Sequence, residues 1–518
     1  MFQKPIQIQW LFFTLISALF ITLMNYHFFE QIYQQLDSDS SLALKASFVI
    51  IYFGLFMSIF ALLFVPYLTK FLMILLLWIV CLTAYFMSAY GVVIDKDMFV
   101  NVSKTDSVEA FSLISPSLLL FVAFFGLLPT LLIIKVRIVY FMGSWKKTLI
   151  IRLATFLLSL LIAGSLFYAY SQTIIPFFRN HRFLRAHETP VHQIYSLVKY
   201  IKQEILSARE FELIATDATL APSNQKRLVI FVVGETARAA NYSLQGYQLN
   251  ETNAYTQKDS VVFFSDFSSC GTSTAISVPC MFSDLTRESF SYSTYYRENA
   301  LDILQKLGVN VVWLDNNTSA CQGVCKNLEN VKLFKEPYDE VLLEAILEPL
   351  KELKEQNLIV LHLQGSHGPT YFQRYPDSFK RFTPTCDTNE LQKCTQEELT
   401  NTYDNTLLYT DFILHSLIEI LKTLREEYEV SLIYVSDHGE SLGENGIYLH
   451  GMPYFMAPKE QTHVPFIFFS ENAELMEMAQ NRKDLPLSHD IIFSTLLGYF
   501  GVQSTVYRAK DDLFGEEK

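Results

Sequence analysis

Five apolar runs of about 20 residues occupy the first third of the chain, and each is long enough to cross the hydrocarbon core of a bilayer. A mean hydropathy of +0.21 and 43 Phe among 518 residues also indicate that part of the chain lies in lipid. We therefore predict an α-helical transmembrane domain of five helices. The runs cover residues 10–29, 46–68, 71–90, 115–134 and 148–170.

The charges between these runs predict an orientation. Residues 28–44 carry three acidic side chains and no Lys or Arg, whereas the links after the second and fourth runs are basic. By the positive-inside rule, the N-terminus is cytoplasmic and everything after residue 170 lies outside. A cleaved signal peptide is the alternative for residues 10–29, but no small-residue cleavage site follows them.

Cysteine positions agree with an extracytoplasmic second half. Six of the seven cysteines follow residue 260, whereas Cys81 lies in a predicted span. Close spacing in an oxidising compartment predicts three local disulfides, each contributing about 2–3 kcal/mol. A zinc–thiolate cluster is the alternative, and the scattered spacing argues against it. Six cysteines allow about 15 connectivities, and of these we predict nearest-neighbour pairing, Cys270/Cys280, Cys321/Cys325 and Cys386/Cys394.

The remainder of the chain is an amphipathic stretch followed by an α/β pattern. Residues 171–225 mix arginines with aromatic residues, which is typical of a linker along the membrane surface or of a helix packed on a soluble domain. From residue 226 onward, short β-branched or aromatic runs alternate with helical patterns, which predicts a mostly parallel sheet. Predicted strands are 227–234, 261–264, 309–314, 358–363, 430–436 and 464–469. Predicted helices are 298–307, 339–355 and 397–427.

Polar motifs follow three of these strands. GETAR at 234–238 supplies Glu235, SDHGE at 436–440 supplies Asp437 and His438, and QGSHGP at 364–369 supplies His367. His450 follows in YLHG at 448–451. Ligands gather beyond the carboxyl ends of parallel strands, and carboxylates with neutral imidazole suit zinc. Each motif alone is typical of a helix cap or a turn, but their joint occurrence favours a catalytic metal site.

The segment CGTSTAISVPC at 270–280 supplies hydroxyl groups between two cysteines. A hydroxyl is a weak nucleophile until a base or a metal lowers its pKa, and the metal ligands above leave a fourth position open. The segment after residue 274 is predicted to be helical, and a helix N-terminus suits a phosphate oxygen. Both effects favour phosphoryl chemistry. The candidate nucleophiles are Thr272, Ser273, Thr274 and Ser277.

Together these residues resemble the phosphoethanolamine transferases of Gram-negative inner membranes, alkaline phosphatase superfamily members that modify lipid A or core lipooligosaccharide. The resemblance covers essentially the whole chain and rests on the five runs, the motifs above, SDHGESLGEN at 436–445 and HGMP at 450–453. It implies a transmembrane domain at 1–170, a linker at 171–225 and an alkaline-phosphatase/sulfatase-like catalytic domain in the periplasm at 226–518.

The resemblance also implies residue roles. Thr274 corresponds to the nucleophile, and the other zinc ligands are Glu235, Asp437 and His438. His367 and His450 correspond to histidines near the phosphate, which either bind a second zinc or act in proton transfer and substrate positioning.

A second set of implied roles lies outside the zinc site. Asn101, Thr105 and Glu109 correspond to an ethanolamine-binding set, and their spacing would place them on one helix face. A solvated polar face is the alternative. Gln322 stands where some relatives have Lys, which puts the acceptor in question.

The implied reaction is a ping-pong transfer. Thr274, held by zinc, takes phosphoethanolamine from phosphatidylethanolamine, releases diacylglycerol, and passes the group to lipid A or a core sugar. We expect a membrane-bound monomer with no nucleic-acid partner, because the net charge of −13 does not suit nucleic acid, which needs a basic surface. The family is associated with resistance to cationic peptides and polymyxins.

Three alternatives remain. A glycerol-phosphate transferase of the same superfamily is disfavoured by the cysteine pairs and by Asn101, Thr105 and Glu109, while a sulfatase would carry a Cys/Ser-x-Pro-x-Arg setting that is absent around Thr274. A non-catalytic membrane sensor is disfavoured because all four implied zinc ligands are present.

Overall fold

The computed structural model describes residues 6–105, 107–141, 143–202, 210–290, 296–317 and 321–515. The chain forms two compact units. The first contains Met1–Lys96 and Ile114–Lys199, and the second contains Asp97–Leu113 and Tyr200–Lys518. The domain boundaries at 170 and 225 stay predictions. A short segment between two predicted spans, Asp97–Leu113, lies in the second unit.

The first unit is helical, as predicted. Among the described residues, four helices are long and apolar enough to cross a membrane, and a fifth span results if the bent pair α1 and α2 is counted as one. These two helices meet at an angle of 52°. The helices of this unit are α1 (Trp10–Met24), α2 (Tyr26–Gln35), α3 (Leu42–Leu63), α4 (Leu68–Tyr90), α7 (Pro116–Lys135), α8 (Trp145–Ala169), α9 (Ser171–Asn180) and α10 (Val191–Tyr200). Between α4 and α7 the chain forms α5 (Lys96–Lys104) and α6 (Ser107–Ser112).

A buried amide lies at the bend between α1 and α2. Asn25 is 1% exposed and its side chain donates to Thr189 O at 2.8 Å, while its Oδ1 accepts from Thr189 N at 2.9 Å. A fully paired amide in apolar surroundings avoids the cost of an unsatisfied polar group. These hydrogen bonds therefore connect the segment around Thr189, which follows the last span, to the bend between α1 and α2.

The second unit is built on a seven-stranded sheet with the order β2-β7-β6-β1-β5-β3-β4. Five neighbouring strands, from β6 to β4, run parallel, and β7 is antiparallel to both β6 and β2. The predicted mostly parallel sheet is confirmed. The strands are β1 (Arg227–Gly234), β2 (Val262–Phe263), β3 (Asn310–Asp315), β4 (Asn330–Leu333), β5 (Gln356–His362), β6 (Glu429–Ser436) and β7 (Phe466–Ser470).

The central strands are buried on both faces, which explains their unbroken apolar runs. Every residue of β3 and β5 is buried, as is every residue of β1 and β6 after the first. Parallel strands covered on both sides lose the alternating pattern of a half-exposed sheet. The helices of this unit are α11 (Thr274–Met281), α12 (Ala300–Lys306), α13 (Glu340–Ala345), α14 (Gln396–Lys422), α15 (Lys459–Thr462), α16 (Ala473–Arg482) and α17 (Ile492–Tyr499).

Two elements differ from the sequence prediction. The helix predicted at 339–355 ends at Ala345, and Pro349, which has no N–H to donate, begins a separate short turn. Strand β4 was not predicted, because three of its four residues are exposed and it lacks a continuous apolar run. The three predicted disulfides are all formed: Cys270–Cys280, Cys321–Cys325 and Cys386–Cys394.

Candidate active site

The site lies where adjacent parallel strands end. Gly234 at the end of β1 is paired with Ser436 at the end of β6, so the next residues of the two strands, Glu235 and Asp437, emerge side by side. His438 follows directly. All three side chains are buried, and their ligand atoms lie within 4.8 Å of one another. The structure thus brings together the three residues that the strand-end motifs singled out.

Thr274 completes this group. It is the first residue of α11, and its Oγ1 lies 3.1 Å from Glu235 Oε2 and 3.4 Å from His438 Nε2. The neighbouring hydroxyls hold the loop instead: Thr272 Oγ1 donates to Met452 O at 2.6 Å, and Ser277 Oγ accepts from Gly271 N at 2.9 Å. Among the candidate hydroxyls in the loop, the geometry favours Thr274 as the nucleophile.

The arrangement fits a divalent metal ion. Asp437 Oδ1 accepts from Thr236 N and His438 N, whereas its buried Oδ2 has no hydrogen-bond partner in the described part of the chain. His438 Nδ1–H donates to Gly439 O at 2.9 Å, which leaves the Nε2 lone pair of the neutral ring for a metal. Two carboxylates, an imidazole and a hydroxyl form a donor set that suits zinc.

The electrostatics of the group also favour a cation. Burial, together with the Glu235 carboxylate, raises the pKa of Asp437 to about 6. Burial opposes charge on the His438 ring, but Asp437 and Glu235 raise the pKa of His438 to about 10. Burial likewise opposes ionisation of Glu235, yet its hydrogen bond with His438 holds its pKa well below the usual range. Without metal, the protonated His438 ring therefore lies between the two carboxylates as their positive partner, and zinc can take over this role.

His367 and His450 lie beside the metal ligands. The His450 ring centre is 4.3 Å from that of His438 and 5.7 Å from that of His367. His450 Nδ1 donates to Glu440 Oε2 at 2.8 Å, and Glu440 also accepts from the Tyr371 hydroxyl. The carboxylate orients the His450 ring and leaves its Nε2 for a substrate, a proton or a metal.

Two residues of the site were missed by the sequence motifs. Asn317 Nδ2 donates to Glu235 Oε2 at 2.8 Å and so orients this ligand. Because it follows the predicted strand 309–314, the same strand-end rule would have found it. The second missed residue is His489, whose partners are distant in sequence.

His489 connects the nucleophile loop to strand β6. Its Nδ1 accepts from Cys270 N at 3.1 Å, and its Nε2–H donates to Ser436 O at 3.0 Å. Burial lowers the pKa of His489 to about 3, so the ring is neutral and holds both contacts in one tautomer. It therefore positions the loop of Thr274 relative to the strand that ends at Asp437.

The predicted ethanolamine-binding residues lie on a segment of the second unit that packs near this site. In α5, Val100 contacts Ala275, the residue after Thr274, and Met98 Cε lies 3.0 Å from where a side chain at Gly451 would begin. Asn101 is therefore carried on a helix that touches both α11 and the loop after His450.

The helix predicted through Asn101, Thr105 and Glu109 is interrupted. Asn101 lies in α5, Thr105 follows the end of that helix, and Glu109 lies in α6. The Thr105 hydroxyl donates to Asn101 O at 2.9 Å, which satisfies one of the last carbonyl groups of α5. The three residues do not share one continuous helix face, and the side chain of Glu109 lies outside the described part of the structure.

Gln322 lies in the loop closed by Cys321 and Cys325. It is 4% exposed and lines a small cavity that Pro279 of α11 also lines. Its effect on the acceptor stays a prediction.

A mostly parallel sheet with two carboxylates, an imidazole and a helix-terminal hydroxyl at its strand ends defines the class of alkaline phosphatase-like and sulfatase-like enzymes. The family model described as "Sulfatase" matches residues 227–502, and the model described as "Phosphoethanolamine transferase EptA/EptB" matches residues 52–205. Phosphoethanolamine transferase EptA of Escherichia coli K12 is 39% identical over 96% of this chain and 95% of its own length.

Two solved structures of phosphoethanolamine transferases are also similar to this chain. The integral membrane lipooligosaccharide phosphoethanolamine transferase A (EptA) of Neisseria meningitidis covers 98% of this chain and 99% of its own, with a TM-score of 0.91 and 34% identity. The C-terminal periplasmic domain of phosphoethanolamine transferase EptC from Campylobacter jejuni is 58% identical, with a TM-score of 0.57 over 59% of this chain and 97% of its own. The chain belongs to the lipid A- and lipooligosaccharide-modifying phosphoethanolamine transferases of the alkaline phosphatase superfamily.

Proposed function

We propose that this enzyme transfers phosphoethanolamine from phosphatidylethanolamine to lipid A or core lipooligosaccharide through a covalent phosphoethanolamine–Thr274 intermediate, releasing diacylglycerol. The observation that carries this proposal is the position of Thr274 Oγ1, 3.1 Å from Glu235 and 3.4 Å from His438 in a buried cluster. A hydroxyl among metal ligands at a helix N-terminus is the arrangement that phosphoryl transfer needs.

The proposed cofactor is one catalytic zinc ion held by Glu235, Thr274, Asp437 and His438. When bound, zinc lowers the pKa of a coordinated hydroxyl and neutralises charge on the transferring group. The first N–H groups of α11 offer donors to a phosphate oxygen. His367 and His450 are proposed as ligands of a second zinc or as proton-transfer and substrate-positioning groups.

The two half-reactions use the same residues. In the first, Thr274 Oγ1 gives up its proton to Glu235 and forms a bond to phosphorus as the bond to the glycerol oxygen breaks, and His450, oriented by its hydrogen bond to Glu440, gives the departing alkoxide a proton. In the second, an acceptor oxygen attacks phosphorus and Thr274 leaves. Asn101, Thr105 and Glu109 are proposed to bind the ethanolamine group.

We further propose an inner-membrane location with the catalytic domain in the periplasm, and a monomeric enzyme. Three disulfides in the second unit support an oxidising compartment, and the matched Campylobacter jejuni domain is a periplasmic one. Because donor and acceptor are both lipids, membrane spans restrict the search between enzyme and substrates to two dimensions.

The test is expression in a Gram-negative host that lacks its own phosphoethanolamine transferases, with mass spectrometry of lipid A and core. We expect the wild-type protein and a Ser273→Ala variant to add phosphoethanolamine and Thr274→Ala to add none. Ser273 is the matched control because it is the adjacent buried hydroxyl, and its side chain makes no capping hydrogen bond. An active Thr274→Ala variant would disprove the mechanism, and a wild-type protein that modifies neither acceptor would disprove the substrate assignment.

A further inference from the structure

A cleft of about 450 Å³ in the first unit joins apolar and basic side chains that the proposed reaction does not use. It lies where the last span, α8, gives way to α9 and the short helical turn Arg182–His187. Its apolar wall includes Phe167, Ile175 and Phe178, and its basic wall consists of Arg179, Arg182 and Arg185.

The three guanidinium groups lack an anionic partner among the described residues. In the chain as described, none of the three makes an ion pair or a side-chain hydrogen bond, and all three side chains are exposed. Arg182 and Arg185 are three residues apart in a 3₁₀ turn, so they point from one side of it. Like charges gathered around one cleft repel one another, and a bound anion would reverse that cost.

The position of the cleft indicates which kind of anion it takes. Phe167, in the last turns of α8, is 42% exposed and Ile175 is 54% exposed, so the apolar wall continues the lipid-facing surface of the span. The cleft also follows residue 170, on the side that the positive-inside rule predicts to be outside, where such an excess of arginine is unusual. A ligand with both an acyl chain and a phosphate matches the two walls.

We propose that this cleft binds the phosphate of a lipid that carries net negative charge. Arg presents a planar fork of donors that suits phosphate oxygens bidentately, and three of them favour an anionic head group over a zwitterionic one. The first carbons of an acyl chain would lie against Phe167, Ile175 and Phe178. The residues that line the cleft belong to the first unit, and the catalytic residues belong to the second.

The test is native mass spectrometry of the full-length protein in detergent, titrated with phosphatidylglycerol, lipid A, phosphatidylethanolamine or inorganic phosphate. We expect the first two to be retained about tenfold more than phosphatidylethanolamine, and the combined Arg179→Gln, Arg182→Gln and Arg185→Gln variant to lose this preference. Retention of phosphatidylglycerol and lipid A alike supports a general anionic-lipid site, and retention of only one of them identifies which anionic lipid is the ligand.

The matched control replaces three exposed lysines at the other ends of the spans, Lys135, Lys146 and Lys147, with Gln. This variant loses the same charge and should keep the preference. Equal binding of phosphatidylethanolamine, an unchanged preference in the arginine variant, or the same loss in the lysine variant would overturn the proposal. Inorganic phosphate that competes as strongly as lipid would refute a lipid ligand. If the triple variant does not fold, the single variant Arg182→Gln replaces it, and we expect its preference for anionic lipid over phosphatidylethanolamine to fall about threefold.

Discussion

At the scale of the residue, Asp437 gives the most direct support for a metal ion in the site. One of its oxygens accepts two backbone N–H groups, and the other is buried with no hydrogen-bond donor among the described residues and lies 3.4 Å from His438 Nε2. A buried carboxylate oxygen without a hydrogen bond is costly, and burial beside Glu235 raises the pKa of Asp437 to about 6. A metal ion is the partner that removes this cost without changing the fold.

Zinc affinity should therefore depend on pH. Without metal, the His438 ring, whose pKa is raised to about 10, holds a proton that zinc must displace. Affinity should rise about tenfold per pH unit between a pH of about 6 and a pH of about 10, and more steeply below about 6, where Asp437 is also protonated. Competition with a chromophoric chelator at three pH values measures this slope.

A control for this experiment lies elsewhere in the second unit. Asp259, His415 and Glu419 form another possible metal group, but Lys422 already binds the two carboxylates. The His415→Ala variant should leave the slope unchanged. An affinity that does not vary with pH would contradict the assigned ligands.

The sequence predicted the ligands better than the nucleophile. The three ligands that follow apolar strands, Glu235, Asp437 and His438, could be located from their positions at strand ends, without comparison with a related protein. The choice of Thr274 needed a family correspondence, since the hydrogen bonds that occupy Thr272 and Ser277 are visible only in three dimensions. His489 had no local signal, because its partners are 219 and 53 residues away.

Replacing His489 should affect both stability and rate. His489→Ala would leave Cys270 N and Ser436 O unpaired beside a new cavity, at a cost of about 2–4 kcal/mol in the free energy of unfolding. The loop of Thr274 should also shift, with a lower kcat and a similar KM. His489→Gln, which keeps a donor and an acceptor, should recover part of the rate. Equal kcat in the Ala variant and the wild type would show that His489 does not position the loop.

At the scale of the element, the sheet could be predicted and the attachment of α5 to the site could not. Strands β1, β5 and β6 each contain an apolar run of at least four residues, so they are visible in sequence. Helix α5 lies between predicted spans and reaches α11 through Val100, a contact between residues 175 positions apart in the chain, from Val100 to Ala275. A non-local contact of this kind has no signature in periodicity or composition.

The contact of α5 should set how well the donor binds. Val100 is 2% exposed and packs on Ala275, so Val100→Ala would remove two methyl groups from this contact and cost about 1 kcal/mol. We expect KM for the lipid donor to rise about fivefold while zinc affinity stays the same. Val102→Ala is the matched control, since Val102 lies on the same helix and is 63% exposed. Equal KM values for the two variants would show that α5 does not position the donor.

At the scale of the whole molecule, the catalytic unit is not continuous in sequence. It takes in Asp97–Leu113, which lies between the predicted spans α4 and α7, as well as everything after Tyr200. In sequence, Asp97–Leu113 therefore begins seven residues after α4 and ends three residues before α7. The region of the predicted spans thus contributes a segment, Asp97–Leu113, to the catalytic unit, and we expect the spans also to keep the enzyme near its lipid substrates.

A fragment of residues 210–518 should separate these two contributions. It keeps the seven-stranded sheet, the three disulfides and all four proposed zinc ligands, so its zinc affinity should match that of the full chain within about threefold. It lacks α5 and α6, so turnover of phosphatidylethanolamine in the same micelles should fall about 100-fold, measured as diacylglycerol release. Adding a peptide of residues 96–113 should restore part of this turnover, because Val100 can again pack on Ala275, whereas the same peptide with Val100→Asp should not. If the fragment alone matches the full chain, α5 has no part in the reaction and the spans serve only as an anchor.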